Sequence, residues 1–398
     1  MRILYFSPRD CWPLTTGARL RDYHLARQLA LRADVTYIGF ASDPLQRRIA
    51  RTRVGADGEI DQITVPRGQA YSAGNILRGV LGPLPVPVLN YTTAAMAGEL
   101  TRLLNSASWD LVQMEGVHLH SYIPAIRGAA SRPRLVCDWH NIESELMGRY
   151  SGNHATPLPK RLYGQRTAML LRHLEGNLLK TCDAHLVCCE RERGILLQRG
   201  PKARIHVAGN GVDVSFYSHA EQAAAAPNVV FAGSMDYHAN IDGALYFAKE
   251  IWPLVRSAMP AMEFFIVGSR PVPEVKALAG SAGITVTDTV PDMRPYYRNA
   301  TAVVVPLRVG SGTRLKVLEA MAAGVPVIST PLGAEGIEFT EGRDLLTAES
   351  PRAFADAVLK VVNDATLRRS LAVAGSNLVR AKYDWEIIGS RLFDFYAQ

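Results

Sequence analysis

The chain has 398 residues, of which 48% are hydrophobic and 20% are charged. This length allows two or three domains, and the composition is that of a folded protein rather than a disordered or fibrous one. The net charge of +7 suits an anionic partner such as a nucleotide, a phospholipid surface or nucleic acid, or serves solubility alone. The arginines are scattered without interleaved aromatics, and no zinc-finger or RNP pattern occurs, so nucleic-acid binding is not expected.

The N-terminal segment MRILYFSP reads as a strand and lacks the charged and apolar regions of a signal peptide. No apolar run reaches the ~18–20 residues that a membrane-spanning helix needs. We therefore expect a cytoplasmic protein, with association to the inner face of the membrane left open. The five cysteines have no disulfide or zinc spacing and are expected to be small buried side chains in a reducing compartment.

Short apolar runs alternate with amphipathic stretches along almost the whole chain, which predicts α/β domains with doubly wound sheets. Several runs are nearly continuous in Val, Ile and Leu, as in parallel strands that are buried on both faces. In chain order, the predicted strands are RILYFS (2–7), DVTYIGF (34–40), DQITVP (61–66), DLVQME (110–115), RLVCDWH (134–140), AHLVCC (184–189), RIHVA (204–208), NVVFAGS (228–234), EFFIVGS (263–269), ITVTD (284–288), AVVVPL (302–307) and PVIST (326–330).

The strands fall into two series, each of the size of a Rossmann-like domain. A polar, alanine-rich segment at 210–228 lies between them and is predicted to be an interdomain linker. We predict an N-terminal domain over 1–205, a C-terminal domain over 206–380, and a last helix at 381–398 that packs back on the first domain. The apolar, proline-rich segment 75–96 is either a covered loop with a helix or a surface that faces an acceptor or a membrane.

Ligands of open α/β sheets bind beyond the carboxyl ends of the strands, so the informative residues should directly follow strands. The stretch VGSGTRLKVLEAMAAGVPVIST (309–330) follows a predicted strand, but it has neither Walker A nor G-x-G-x-x-G spacing. Gly310 and Gly312 can nevertheless turn the backbone and expose amide groups to a phosphate. Thr313 is expected to cap a helix whose N-terminus attracts anions, and Gly324 to end that helix.

The charged side chains of this helix allow two interpretations. Arg314 and Lys316 add positive charge near its start, and Lys316 shares a face with Glu319. The segment is therefore either a phosphate-binding element or a plain strand–turn–helix unit with a surface ion pair between Lys316 and Glu319.

The same stretch resembles the donor-binding signature of the family-4 retaining glycosyltransferases, which have the GT-B fold. Five further segments resemble motifs of that family in the same order: TTGARLRDYHLARQLA, CDWHNIESE, VAGNGVDVSFY, FAGSMDYHANIDGALYFAKEIWP and TVPDMRPYYRNATAVVVPL. The resemblance is closest to bacterial sugar transferases of exopolysaccharide assembly. It implies two facing Rossmann-like domains with a cleft between them for the donor. It also implies retaining transfer of a hexosyl group from a UDP- or GDP-linked sugar to a saccharide or lipid-linked acceptor. No Asp-x-Asp motif is present, so no metal cofactor is expected.

The resemblance assigns roles to particular residues. His140 would face the donor sugar, Glu319 would accept hydrogen bonds from the ribose, and Arg314 and Lys316 would stabilise the departing diphosphate. For His140, a structural hydrogen bond beside Asp138 is the alternative. The other predicted donor-binding residues are Gly17, Arg19, Gly233, Ser234, Val290, Gly310, Ser311, Gly312, Thr313 and Leu315.

Arg19 would face the donor phosphates or an anionic acceptor, unless it is a solvated arginine at a helix start. The chain departs from the family pattern at Ser311, where a glutamate often contacts the sugar. It also departs at Met235 and Asn240, in a region where an arginine and a lysine are common. These departures leave open a non-catalytic nucleotide-binding subunit with the same fold. A nucleotide-sugar epimerase and a sugar-phosphate synthase are further alternatives.

Overall fold

The fold consists of two compact units: Met1–Gly209 together with Ile388–Gln398, and Asn210–Ile387. The protein is represented by a computed structural model. The residues that the structure describes are 1–43, 45–55, 58–68, 70–152, 157–218, 227–281, 283–310 and 312–398.

The first unit is built on one sheet, whose strands are β1 (Arg2–Ser7), β2 (Asp34–Phe40), β3 (Ala50–Val54), β4 (Ile60–Val65), β5 (Leu111–Glu115), β6 (Arg134–Asp138), β7 (Ala184–Val187) and β8 (Ile205–Val207). Their order is β3-β4-β2-β1-β5-β6-β7-β8. All neighbouring pairs are parallel except β3 with β4. The carboxyl ends of the central strands therefore meet at one edge of the sheet.

The helices that follow these strands are α1 (Gly17–Ala30), α2 (Ala73–Leu81), α3 (Val86–Leu89), α4 (Ala94–Ser106), α5 (Ile123–Arg127), α6 (Glu143–Gly152), α7 (Leu158–Thr181) and α8 (Glu190–Arg199), with a 3₁₀ turn at Val117–Tyr122. Apolar side chains of α4 and α7 pack with those of β1, β2 and β4 into one buried core. Burial of these side chains fixes the sheet edge that carries the polar residues.

The second unit has a wholly parallel sheet with strands β9 (Asn228–Ala232), β10 (Glu263–Val267), β11 (Ile284–Val286), β12 (Ala302–Val305), β13 (Val327–Ser329) and β14 (Leu346–Thr347). The strand order is β11-β10-β9-β12-β13-β14. Its helices are α9 (Val214–Tyr217), α10 (His238–Tyr246), α11 (Trp252–Ala258), α12 (Pro273–Lys276), α13 (Arg294–Arg298), α14 (Leu315–Ala322), α15 (Pro351–Asn363) and α16 (Ala365–Lys382), with a π-helical turn at Phe247–Ile251 and a 3₁₀ turn at Ala277–Gly280.

Each predicted strand is present, and most end one or two residues earlier than predicted. Two strands were not predicted. The edge strand β3 has three exposed polar residues, Arg51 to Arg53, so it lacks the apolar pattern on which the prediction depended. Strand β14 is too short to show any pattern.

The prediction of a linker at 210–228 is wrong for its first part. Val212 forms a β-bridge with Asp384, and Val212 and Val214 are buried in the core of the second unit. These valines pack like core residues although their neighbours are polar. The residues 219–226 lie outside the described part of the chain. The boundary set at 205/206 falls inside β8, which pairs with β7 in the first sheet.

The last helix is α17 (Trp385–Ala397). From Ile388 onward it belongs to the first unit, where Leu392 and Tyr396 are buried. The hydroxyl of Tyr396 donates to Gln113 at 2.6 Å, and its carbonyl accepts from Arg134 at 2.8 Å. Residues 381–384 precede this helix, so the predicted start at 381 is early.

Two further expectations concern the cysteines and the membrane. All five cysteines are free, and Cys189 alone among them is not fully buried. The helices in the described ranges include none that is both long and apolar enough to cross a membrane.

Candidate functional site

In the first unit, His140 lies two residues beyond β6 and joins two carboxylates. Its ring Nε2 is 3.0 Å from Oδ1 of Asp22, on α1, and 2.6 Å from Oε2 of Glu115, the last residue of β5. The His140 side chain is 14% exposed, whereas both carboxylates are fully buried. His140 has a φ of 46°, a left-handed conformation that is uncommon for a residue with a side chain. The fold thus holds this imidazole at the carboxyl ends of β5 and β6.

The charges around His140 compensate one another. Arg9 pairs with Asp22 at 3.1 Å. Burial opposes the charge on His140, but the carboxylates of Asp22 and Glu115 outweigh burial and raise the pKa of His140 to about 9. Burial and the charges of Asp138 and Asp22 raise the pKa of Glu115 to about 7. At neutral pH the imidazole is therefore a cation held against Asp22.

The alternative role for His140 was a structural hydrogen bond beside Asp138. The backbone makes such a bond, because the amide of His140 donates to Oδ1 of Asp138 at 3.2 Å. The main partner of Asp138, however, is Arg21, whose Nε and Nη2 donate to Oδ2 at 3.1 and 2.7 Å. Arg21 is buried with Asp138 and also donates to the carbonyls of Ala208 and Gly209. The imidazole ring itself is oriented by Asp22 and Glu115.

Asp22, Glu115 and His140 offer three potential metal ligands whose atoms lie within 4.8 Å of one another. Two carboxylates and an imidazole are a donor set that divalent metals use. Here, Arg9 and a protonated His140 already balance the two carboxylates, so a divalent cation with a neutral imidazole would leave an excess positive charge. A metal ion at this position would therefore have to compete with a proton for the imidazole.

Arg19 and Gly17 lie at the start of α1. Thr16 caps this helix by accepting from the amide of Arg19. The guanidinium of Arg19 is bound by Asp10 at 2.5 Å and by the hydroxyl of Thr15 at 2.6 Å, and its side chain is only 12% exposed. Arg19 is therefore not the solvated arginine that one interpretation expected, and a phosphate would have to compete with Asp10 for it.

In the second unit, Lys316 occupies the first turn of α14, which follows β12. Its ammonium donates to Oδ1 of Asn240 at 2.7 Å and lies 4.3 Å from the ring centre of Phe231. Asn240 is oriented in turn because its amide donates to the carbonyl of Ser234 at 2.8 Å. Within the described ranges, no carboxylate forms an ion pair with Lys316. Burial and the nearby charge of Arg314 lower the pKa of Lys316 to about 7.

Gly233 directly follows β9 and approaches the same lysine. It has a φ of 151°, and a Cβ placed there would lie 2.7 Å from Nδ2 of Asn240 and 2.8 Å from Nζ of Lys316. A side chain at this position would fill the space beside the ammonium. The absence of a Cβ therefore leaves room next to a lysine that has no carboxylate partner among the described residues.

Glu319 lies one turn further along α14 and accepts a hydrogen bond from the hydroxyl of Tyr297 at 2.9 Å. Burial raises its pKa, although Tyr297 and Lys316 oppose the change. Lys316 and Glu319 do not form a salt bridge, so the alternative of a surface ion pair is not what the structure shows.

The loop before α14 contains Gly310 at a φ of 116° and Gly312 at 80°, values that favour glycine. The prediction that Thr313 caps the helix is wrong. The N-cap is Arg314, which makes no side-chain cap bond, and the hydroxyl of Thr313 is buried without a partner in the described structure. The chain leaves β12 through these glycines and enters the helix one residue later than predicted. Gly324, at a φ of 73°, directly follows the last turn, as predicted.

Among the other predicted positions of the second unit, Ser311, Leu315 and Val290 carry no charge and Arg314 carries one. Ser311 lies outside the described residues. Leu315 and Val290 are half-buried and pack on the core of the second unit. Arg314 is half-buried, and burial lowers its pKa.

Several polar residues were missed. Arg270, just beyond β10, donates to the hydroxyl of Ser234 at 2.9 Å and pairs with Asp236 at 2.6 Å. It places a guanidinium at the loop after β9, where the sequence departs from the family pattern. Asp22 and Glu115 were missed as well, although Glu115 ends a predicted strand and so carried the positional signal.

A separate cavity of about 640 Å³ opens between α6 and α7 in the first unit. Its lining includes Arg149, Met169, Arg172 and Arg199, and none of the predicted site residues. It is therefore distinct from both clusters described above.

Comparison with known proteins gives two family matches. Residues 17–216 match the model described as Glycosyltransferase Family 4, and residues 226–364 match glycosyl transferases group 1. The phosphatidyl-myo-inositol mannosyltransferase of Mycobacterium leprae is 29% identical over 197 residues, which are 47% of this chain and 52% of that protein. An uncharacterized 44.6 kDa protein in the cps region of Klebsiella pneumoniae is 22% identical over 174 residues, 42% of this chain and 45% of that one. The chain thus spans about half the length of these curated relatives.

Solved structures resemble the whole chain. Sucrose-phosphate synthase from Thermosynechococcus elongatus superposes with a TM-score of 0.71 at 17% identity, covering 100% of this chain and 98% of that one. Anabaena Alr3699/HepE, solved with UDP and glucose, superposes with a TM-score of 0.65 at 12% identity, covering 99% of both. These likenesses confirm the predicted α/β fold of the GT-B type.

Proposed function

The chain belongs to glycosyltransferase family 4, and from this premise we propose that it transfers a hexosyl group from a nucleotide sugar to a saccharide. We further propose that the acceptor is lipid-linked, that the anomeric configuration is retained, and that no metal is required. The setting we propose is bacterial exopolysaccharide assembly at the inner face of the membrane.

The observation that carries this proposal is the environment of Lys316. An ammonium that is held by Asn240, lacks a carboxylate partner among the described residues, and lies beside the Cβ-free space at Gly233 suits an anionic ligand. A diphosphate would supply the missing negative charge, since buried cations are normally paired. Arg314 and the backbone amides of Gly310 and Gly312 would add to this binding.

The proposed transfer requires that the charge that develops on the leaving group and on the sugar be stabilised. The bond between the anomeric carbon and the diphosphate oxygen breaks, so that negative charge grows on the leaving group while the sugar becomes cationic. The oxygen of an acceptor hydroxyl forms the new bond to the anomeric carbon, and its proton passes to the departing diphosphate. Lys316 and Arg314 act on the leaving group, as a metal ion does in other enzymes. Glu319, oriented by Tyr297, accepts hydrogen bonds from the ribose hydroxyls.

His140 acts on the transferred sugar in this proposal. Asp22 and Glu115 fix its orientation and keep it protonated, so it can donate a hydrogen bond to a sugar oxygen without being a base. The carboxylates also place negative charge near the growing oxocarbenium ion. A base role for His140 would instead require a pKa near or below neutrality.

A donor panel tests the proposal. UDP-, GDP- and ADP-linked hexoses are incubated with the protein and a saccharide acceptor, and release of free nucleotide is measured. Titration calorimetry with UDP, GDP and ADP then separates binding from turnover. We expect one base to bind and its sugar conjugate to be consumed with no added metal and in the presence of a chelator. Binding without turnover would overturn the enzymatic role and favour a nucleotide-binding subunit.

A further inference from the structure

Helix α2 in the first unit presents an apolar face that no other part of the described structure covers. Ile76, Leu77, Val80 and Leu81 are 39–73% exposed. Gly79 is the buried residue of this helix, and it packs against Val86, where an added Cβ would lie 2.3 Å from a methyl group. The helix therefore rests on a glycine and directs its large side chains outward.

Helix α7 also exposes large apolar side chains. Leu158, Leu162 and Met169 lie on one face of α7 and are 58–62% exposed. The two helices are joined because Arg166 of α7 donates to the carbonyl of Gly82, which ends α2, at 2.9 Å. Exposed apolar side chains that are grouped on two joined helices mark an interaction site more often than single scattered ones do.

The two chain segments that contain these helices carry charges of one sign. The sequence segments 62–98 and 157–174 contain no aspartate or glutamate, but they carry six basic residues: Arg67, Arg78, Lys160, Arg161, Arg166 and Arg172. None of the six forms an ion pair with a carboxylate in the ranges that the structure describes. Several exposed arginines elsewhere in the same unit do pair with carboxylates, as Arg102 does with Glu99 and Arg53 does with Asp61.

We propose that the exposed faces of α2 and α7 form a docking surface for a lipid bilayer that contains anionic lipids. Apolar side chains flanked by Lys and Arg enter the boundary between headgroups and acyl chains, while the cations contact lipid phosphates. A second copy of this chain is a poorer occupant, since two such surfaces would bring like charges together. The proposal adds a partner to the function proposed above. It rests on that function in one respect: binding to the bilayer would bring the protein to a lipid-linked acceptor.

Flotation of the full chain with vesicles tests the surface without any need for turnover. One set of vesicles contains equimolar phosphatidylglycerol and phosphatidylcholine, and the other contains phosphatidylcholine alone. We expect binding to the anionic vesicles, weaker binding to neutral ones, and a loss of affinity as salt is raised. Failure to bind anionic vesicles, or equal binding to both kinds, would overturn the proposal.

Variants locate the surface. The double substitution Leu77→Ser with Leu81→Ser should lower partitioning roughly 100-fold, at about tenfold for each leucine withdrawn from the lipid. Arg78→Glu and Lys160→Glu should each lower it roughly 20- to 30-fold, since each reversal changes two units of charge near the surface. Leu31→Ser is the matched apolar control, since Leu31 is 68% exposed at the end of α1. Lys202→Glu is the matched charge control, because Lys202 is exposed in the turn before β8.

Melting temperature and nucleotide affinity are measured on every variant. Normal values with lost flotation support the proposal. A control variant that loses binding as strongly as the surface variants would overturn it. Sedimentation velocity without lipid provides a further arm: a dimer that the double leucine variant abolishes would assign the face to a second copy instead. If the protein binds vesicles but consumes no nucleotide sugar, this inference holds and the proposed transfer fails. If the protein transfers sugar but does not bind vesicles, the proposed transfer holds and this inference fails.

Discussion

Replacing Lys316 with methionine should abolish most of the donor affinity and, at the same time, make the unliganded protein more stable. The ammonium of Lys316 donates to Asn240 but has no carboxylate partner in the described structure. Its pKa falls from the ordinary 10.5 to about 7 because of burial and Arg314. Such a group costs stability when no anion is bound.

The sign follows from the two pKa values. The unfolded chain binds a proton at this amine up to about pH 10.5, whereas the folded protein releases it above about pH 7. The penalty on folding is therefore fully present below pH 7 and disappears as the pH rises toward 10.5. Lys316→Met removes the penalty, so its melting temperature should exceed that of the wild type at pH 7 and below.

Donor binding has the opposite dependence on this proton. An anionic diphosphate raises the pKa of Lys316, so that binding takes up a proton above pH 7. Affinity should then fall by up to about tenfold for each unit of pH above 7, until the pKa of the bound state is reached. Titration calorimetry with an intact nucleotide sugar measures this slope, because the diester phosphates of such a donor do not themselves titrate near neutrality.

Lys249→Met is the matched control, since Lys249 is an exposed lysine in the π-helical turn of the same unit. It should keep the wild-type affinity and slope. A wild-type affinity that is independent of pH between about 7 and 9, or a slope that persists in Lys316→Met, would refute the assignment of the diphosphate to Lys316. A lower melting temperature of Lys316→Met would show that the lysine stabilises the fold.

The remaining predictions concern both units. Glu319→Gln should weaken nucleotide binding roughly 10- to 100-fold, because charge-assisted bonds to the ribose are worth roughly 1.5–3 kcal/mol, and an unchanged calorimetric Kd would exclude the ribose role. His140→Ala should slow transfer far more than it weakens binding of bare nucleotide; parallel losses of melting temperature, binding and rate would instead indicate a structural histidine. Gly233→Ala should lower donor affinity at least about tenfold by crowding the lysine, with melting temperature as the control and an unaltered Kd as the contrary result. Asp138→Ala should lower the free energy of unfolding by about 3–5 kcal/mol, because it leaves the buried Arg21 uncompensated; urea unfolding measures this, and a loss below about 1 kcal/mol would contradict it.

Most strands of the two sheets could be predicted from the sequence because buried parallel strands consist of nearly continuous apolar residues. Strand β3 could not be, since its exposed arginines carry no such pattern and it is recognisable only by its pairing with β4. Val212 and Val214 were assigned to a linker for a related reason. Their burial depends on a bridge to Asp384, a contact between residues far apart in sequence.

The positions of Lys316 and Glu319 followed from their place after a strand and from the family resemblance. Their partners did not, because Asn240 and Tyr297 come from other helices, α10 and α13, and reach α14 only through the fold. His140 was found in the same way, but Asp22 is 118 residues away from it. Local patterns therefore indicated which polar side chains follow strands, but they did not indicate the partners that set the charge of these side chains.

The closing helix α17 has a consequence for how this protein can be made. Its segment Ile388–Gln398 belongs to the first unit, although the whole second unit is synthesised after Gly209 and before Ile388. Until Tyr396 has left the ribosome, Gln113 and Arg134 lack the partners that they have in the finished protein. The second unit can thus fold as a continuous piece of chain before the first unit has its last helix. During this time the surface of the first unit that the helix later covers is exposed to chaperones. For the same reason, a fragment cut at residue 209 would lack the segment Ile388–Gln398, and expression of the complete first unit would require this segment to be fused to it.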